Sequence, residues 1–143
     1  MIIIFLFSAK PAVSSAESSR TIANAVLNIA ENFMDPALWQ EDRDNVLDTV
    51  DHIVRKTAHF MEYAILASAI ELHYWITKRK GIRFILLSIL FSFLYAATDE
   101  FHQLFVPGRS GEFKDVMIDT VGAATGAFLF YFLLILIEHI KRK

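Results

Sequence analysis

The chain has 143 residues, of which 55% are hydrophobic and 13% aromatic, and its 14 basic and 16 acidic side chains leave a formal net charge of −2. The apolar content excludes a disordered chain, and the lack of a basic excess argues against nucleic acid as a partner. No cysteine is present, which excludes disulfides, thiolate metal sites and cysteine nucleophiles. A mean hydropathy of +0.40 favours one membrane domain over residues 1–143.

The N-terminal stretch 1–7 (MIIIFLF) is strongly apolar but short. It extends only about 10 Å as a helix, whereas a hydrocarbon core is about 30 Å thick. It also lacks the basic region and the length of a signal peptide. It is interpreted as the outer end of a first spanning helix whose beginning is missing, as a misplaced start codon would produce, or as a short membrane-dipping segment.

Segment 11–54 is acidic, with two basic and eight acidic residues, and it contains two helical patterns. The first predicts a helix with Ser18 or Ser19 as its N-cap and a stop at residues 35–36 (Asp-Pro). Its apolar stripe is Ile22, Val26, Ile29 and Phe33. The second predicts a helix that begins near Asp44 or Asn45 and continues into the membrane. Its stripe is Val46, Val50, Ile53 and Val54. Together they predict amphipathic extracytoplasmic helices over residues 18–56.

Three windows have the length and composition of membrane spans: 58–76, 82–104 and 116–137. The fold class is therefore predicted as an all-α membrane protein, a small transmembrane helical bundle with three full spans and a truncated N-terminal helix. The first window contains Glu71 and His73 near its inner end, which are interpreted as structural or interfacial.

Basic residues in short loops predict the orientation. Loop 77–83 holds four basic residues and no acid, and the C-terminus ends in three basic residues at 141–143. Two spans separate them, so both are expected on the cytoplasmic side of the membrane. Segment 11–54 and loop 105–114 then face outside. Arg55 and Lys56, on the outer side of the first span, depart from this rule.

Polar residues are concentrated at the outer end of every predicted span. A helix places Lys56, His59, Glu62 and Tyr63 within one sector of the first span. The second span carries Asp99, His102 and Gln103 on one face, with Glu100 to the side, where it could equally meet headgroups or water. The third begins with Asp115 and Asp119, and the preceding turn adds Arg109 and Ser110. Charged residues are costly within spans, so these groups predict a polar pocket at the outer membrane surface.

Structural interpretations stay open for several of these residues. Lys56 could extend along the helix to the interface, and His59 with Glu62 could form a hydrogen-bonded pair that holds two helices together. Gly122 and Gly126 form a small-residue face, for which close helix packing is the favoured interpretation.

Three blocks of the sequence resemble the VanZ-like family of bacterial multi-pass membrane proteins. They are residues 55–66 (RKTAHFMEYAIL), 98–110 (TDEFHQLFVPGRS) and 115–122 (DVMIDTVG), and residues 7–11 (FSAKP) resemble the family's junction after its first span. The resemblance implies four spans, of which this chain retains only the end of the first. It also implies a link to resistance against the glycopeptide teicoplanin, and distant similarity to membrane enzymes that exchange or hydrolyse phospholipid headgroups has been proposed for the family.

The first functional hypothesis is an enzyme acting on a lipid or lipid-linked cell-wall substrate at the outer leaflet. His59 or His102 would act as general base or nucleophile. The acids Glu62, Asp99, Asp115 and Asp119 would orient the histidine or hold a divalent cation. The residues expected to bind substrate or phosphate are Lys56, Tyr63, Gln103, Arg109 and Ser110.

Two other hypotheses involve no chemical reaction. The polar residues could bind membrane lipid or a partner protein, with ion pairs that set the helix register. A small transporter or proton pathway is the weaker alternative, because the middle of the second span is apolar except for Ser88 and Ser92.

Overall fold

The computed structural model describes residues 12–33, 42–107 and 111–142. In these residues the secondary structure consists of four α-helices: α1 (Ala12–Ala30), α2 (Arg43–Ile76), α3 (Ile82–Gln103) and α4 (Phe113–Lys141). The predicted all-helical fold is confirmed. The predicted first-span remnant at 1–7 and the helix stop at 35–36 lie outside the described residues.

Helix α2 confirms that the second pattern of segment 11–54 continues into the first predicted span. It contains 34 residues without a break, which corresponds to a length of about 51 Å. It begins after Asp42, slightly before the predicted caps, and the Asn45 side chain donates a hydrogen bond to the Asp42 carboxylate. Residues 58–76 are the C-terminal half of this helix.

The predicted N-cap of α1 is wrong. The helix begins at Ala12, so neither Ser18 nor Ser19 is its N-cap. Its predicted apolar stripe is exposed, with Phe33 at 84% relative exposure, and Ala23 and Leu27 pack against Leu47 of α2. An ion pair of 3.3 Å between Arg20 Nη2 and Asp48 Oδ1 adds to this contact. Ala23 and Leu27 thus mark the face of α1 that lies against α2.

Helices α2, α3 and α4 form an up-down-up bundle, in which α4 runs parallel to α2 and packs closely against it. A Cβ added to Gly122 would collide with the Phe60 carbonyl oxygen, and one added to Gly126 would lie 2.7 Å from Ala64 Cα. This is the close contact that the small-residue spacing predicts.

The polarity of the bundle is inverted relative to that of a soluble protein. Glu71, Ser88, Ser92 and Asp119 are fully buried. The outward-facing residues are large and apolar. On α2 they include Met61, Ile65 and Leu72, on α3 Leu86, Leu90 and Leu94, and on α4 Val121, Leu129 and Phe132.

Two helices, α3 and α4, are long and apolar enough to cross a membrane. The first predicted span, 58–76, does not meet that criterion among the described residues, so it stays a prediction. The window contains two glutamates, Glu62 and Glu71, which lower its average hydropathy although Glu71 faces the bundle interior.

Candidate functional site

The antiparallel arrangement brings three distant segments to the same end of the bundle. Helix α3 follows α2 after a short turn at residues 77–81, and α4 follows α3 after residues 104–112. The middle of α2, the C-terminal end of α3 and the first turns of α4 are therefore neighbours. We call the polar side chains that meet there the polar cluster: Lys56, His59, Glu62, Tyr63, Asp99, Glu100, Gln103, Asp115 and Asp119.

Helices α2 and α4 contribute two charge contacts to the polar cluster. Lys56 Nζ forms an ion pair with Asp115 Oδ1. About one turn further along, His59 Nδ1 lies 4.0 Å from Asp119 Oδ1, which is an approach without a hydrogen bond. Lys56 thus neutralises one acid of the cluster.

Asp119 is the most deeply placed carboxylate of the cluster. Its relative exposure is 0%, and neither of its oxygens has a hydrogen-bond partner among the described residues. The negative charges of Glu100, Asp115 and Asp99 also act on it. A carboxylate held this way destabilises the protein unless a proton, a cation or a donor compensates it, so residues of this kind are functional-site candidates.

The end of α3 contributes a hydrogen-bonded group to the cluster. Gln103 Nε2 donates to Glu100 Oε1 at 3.1 Å and lies 3.4 Å from Asp99 Oδ2. The backbone N–H of Glu112 donates to Glu100 Oε2 at 2.9 Å, which ties the start of α4 to α3. Asp99 Oδ1 has no hydrogen-bond partner in the described part of the chain.

Tyr63 and Glu62 place the α2 side of the cluster next to Asp99. Tyr63 is fully buried, its ring centroid lies 6.2 Å from that of Tyr95, and its hydroxyl has no partner in the described structure. Glu62 is half-buried and lies in the electrostatic field of Asp99. The structure thus joins nearly all of the predicted α2, α3 and α4 residues into one group.

Three predicted site residues are not joined to the group by the geometry described above. His102 is half-buried on the last turn of α3, beside Gln103. Arg109 and Ser110 lie outside the described residues. Their predicted roles in catalysis and phosphate binding stay predictions.

The predicted divalent-cation site has no support from the positions of the ligands. Within the described ranges, no three His, Asp or Glu side chains are grouped closely enough to hold one metal ion. Five carboxyl groups nevertheless face Lys56 and His59 in the polar cluster. An excess of this kind favours a substrate with a positively charged group or a proton-transfer role for the acids.

Two buried acids were not predicted as site residues. Glu100 has a relative exposure of 5% and lies in the polar cluster, where its three-residue spacing from Gln103 was the available sequence signal. Glu71, interpreted as structural or interfacial, is fully buried and accepts a hydrogen bond from Ser88. No pattern within one helix indicates the contact between Glu71 and Ser88, because this contact depends on how α3 faces α2.

A family model described as VanZ/LLP1 matches residues 1–135. The chain belongs to the VanZ/LLP1 family. The three blocks that carry the resemblance, 55–66, 98–110 and 115–122, supply every member of the polar cluster. No match was found among curated proteins or among solved structures.

Proposed function

We propose that this VanZ/LLP1 protein is a multi-pass membrane protein that acts on the headgroup of a lipid or lipid-linked envelope substrate at the outer leaflet. The inverted polarity of the bundle supports the membrane assignment. Exposed apolar side chains on α2, α3 and α4 suit a lipid environment, whereas buried polar groups suit a site between helices.

Residues 58–76 also span the membrane in this proposal, together with α3 and α4. Their outward-facing side chains include Met61 at 51% and Ile65 at 65% relative exposure, while Glu71 faces inward. A span of this composition is stable because its polar groups avoid lipid. The basic loop 77–83 and C-terminus then lie in the cytoplasm, and the polar cluster lies at the outer surface.

The observation that carries the catalytic part of the proposal is the approach of His59 to the buried Asp119. A carboxylate on one ring nitrogen orients an imidazole and stabilises its protonated form, which leaves the other nitrogen to accept a proton or attack phosphorus. A separation of 4.0 Å is long for this contact, but catalytic hydrogen bonds commonly shorten when substrate binds.

The rest of the cluster would recognise the headgroup. The acids of α3 suit an ammonium group, and Arg109 and Ser110 of the following turn suit the phosphate. Lys56 would reach a phosphate only by leaving Asp115, so it is the weaker of the two cationic candidates. A divalent cation, if one takes part, would need substrate oxygens to complete its ligand set.

A non-enzymatic function is the second candidate, and the Lys56–Asp115 ion pair favours it. This pair joins α2 to α4 across the cluster and would set the helix register without any chemistry. In that case the polar cluster binds lipid or a partner protein and alters the envelope by binding alone.

Headgroup release separates the two candidates. The full chain is reconstituted into vesicles that contain phosphatidylethanolamine and phosphatidylglycerol labelled in the headgroup, and the soluble label is counted. We expect release by the native chain and a loss of about 100-fold or more in His59→Ala. His73→Ala is the matched control, because His73 is an exposed histidine of the same helix.

Equal release by His59→Ala and the native chain would contradict the catalytic proposal. No release from either lipid, together with retained teicoplanin resistance in cells that express His59→Ala, would favour the binding function. A repeat with a chelator tests the cation, since a metal-dependent reaction stops when the metal is removed.

The orientation has its own test, which the absence of cysteine makes simple. Single substitutions Lys80→Cys and Glu112→Cys are labelled in intact cells with a membrane-impermeant maleimide. We expect label at position 112 and none at position 80 until the cells are opened. The reverse pattern would place the polar cluster at the cytoplasmic surface.

A further inference from the structure

A second buried polar site lies inside the bundle, away from the polar cluster. Glu71 of α2 has 0% relative exposure, and so do Ser88 and Ser92 of α3. Ser88 Oγ donates a hydrogen bond to Glu71 Oε2 at 2.9 Å. Glu71 is eight residues, or about 12 Å along the helix, from Tyr63, so the two sites are separate.

Two oxygen atoms of this site lack hydrogen-bond partners in the described structure: Glu71 Oε1 and Ser92 Oγ. An unpaired carboxylate oxygen in a lipid-surrounded interior is unfavourable. A proton on Oε1 removes the charge and turns this oxygen into a donor. Ser92 provides a hydroxyl on the same face of α3, one turn from Ser88.

Among the residues that the structure describes, no cation is paired with Glu71 to compensate a permanent negative charge. Burial and the Ser88 hydrogen bond are the main influences on its ionisation. From α4, Tyr131 packs against Trp75, one turn of α2 beyond Glu71, with the two ring centroids 5.9 Å apart. Lys80 lies beyond the end of α2, where it pairs with Glu138. A proton is therefore the ligand that fits the site.

We propose that Glu71 is a reversible proton-binding site inside the helical bundle, with Ser88 as its hydrogen-bonding partner and the buried hydroxyl of Ser92 one turn further along α3. The carboxylate takes up one proton to form a neutral carboxylic acid, and releases it to return to the anion. No other bond forms or breaks. The site does not depend on the proposed headgroup chemistry, because none of its residues belongs to the polar cluster.

Ionisation of Glu71 would place a charge between α2 and α3. The apolar contacts around it cannot solvate that charge, so the charged form should loosen the packing of these two helices. Protonation of Glu71 would then favour the closely packed bundle, which gives the protein a response to pH at a position distant from its surface charges.

Infrared difference spectroscopy of the full chain tests the proposal. Spectra of the native chain and Glu71→Gln in vesicles are compared between about pH 5 and about pH 10, a range across which shifted carboxyl groups titrate. We expect a C=O stretching band of a protonated carboxyl that is absent in Glu71→Gln and that weakens reversibly as the pH rises. Glu138→Gln is the matched control and should retain the band, since Glu138 is ion-paired with Lys80.

A second variant keeps the test informative if Glu71→Gln fails to fold. Ser88→Ala removes the hydrogen bond to Oε2, so the band should persist and move to a higher wavenumber. The proposal is overturned if the difference spectra contain no such band at any pH. It is also overturned if the band does not change with pH, since the site would then hold its proton permanently.

Discussion

The two ends of the three-helix bundle contain similar numbers of charged side chains but differ in how those side chains are buried and paired. At the cluster end, Asp99 and Asp119 are buried and have oxygen atoms without hydrogen-bond partners in the described structure. At the opposite end, Glu138 is paired with both Lys80 and Arg142, and Lys80 Nζ also lies 3.8 Å from the centre of the Trp75 ring.

This difference lies in how far the charges are compensated by partners and by water. Exposed pairs such as Arg142–Glu138 contribute little to stability, because water screens them, but they suit the membrane interface. Buried carboxylates without partners lower stability, so their retention in a protein indicates a function. The cluster end is therefore the candidate site, although the opposite end contains more basic residues.

The largest expected effect concerns the helix contact on which both ends depend. Gly126→Val would force α4 away from the Ala64 backbone and lower the free energy of unfolding by about 3 kcal/mol. Unfolding in a denaturing detergent measures the loss. Ala69→Val, at an exposed position of α2, is the control and should change stability little. Equal losses in the two variants would show that the close contact is absent.

The next largest effects are expected for the two aspartates of α4 at the cluster end, which are buried and paired differently. Asp119→Asn removes a buried charge without changing the side-chain shape, so stability should rise by about 1–2 kcal/mol while headgroup release falls about 100-fold. Asp115→Asn is the matched comparison and should lower stability, because it leaves Lys56 without its partner. Stability and release are measured on the same preparations. A fall in stability for Asp119→Asn would mean that the carboxylate is structural.

Substitution of one lysine at each end, Lys56 and Lys80, allows a direct comparison of the two ends. Lys56→Gln leaves Asp115 without a cation in a half-buried position, and we expect a loss of about 1–2 kcal/mol in the free energy of unfolding. The measurement is the same detergent unfolding as above. An unchanged value would show that this ion pair does not hold α2 and α4 together.

The smallest effect is expected at the opposite end. Lys80→Gln should change stability less than Lys56→Gln, because Arg142 still pairs with Glu138 and water reaches the site. Its effect should shrink further in high salt, since salt screens exposed pairs. A larger loss for Lys80→Gln than for Lys56→Gln would reverse the comparison between the two ends.

The polar residues of each helix were predictable because they share one face of one helix. Lys56, His59 and Tyr63 follow helical spacing on α2, and Asp115 and Asp119 follow it on α4. The glycine contact was predictable for the same reason. Pairings between helices were not predictable, since Lys56 with Asp115 and Glu71 with Ser88 depend on the axial alignment of two helices.

When a helix carries apolar residues on several faces, its sequence does not show which face packs against the neighbouring helix. The stripe Ile22, Val26 and Ile29 of α1 has helical spacing, but the helix presents Ala23 and Leu27 to α2 instead. In a bundle whose outer surface is apolar, a hydrophobic stripe does not identify the buried face. Polar and small residues identify it better, as they do for α3 and α4.

The high apolar content by itself favoured a membrane domain and excluded a disordered chain, and the near-neutral net charge argued against nucleic acid as a partner. Local spacing determined the helices and the polar face of each, because these depend on residues only three or four positions apart. The tertiary structure alone decided which acids are buried and which are paired. Burial and pairing depend on neighbours that lie far away in the sequence, and only the packing of α2, α3 and α4 against one another brings those neighbours together.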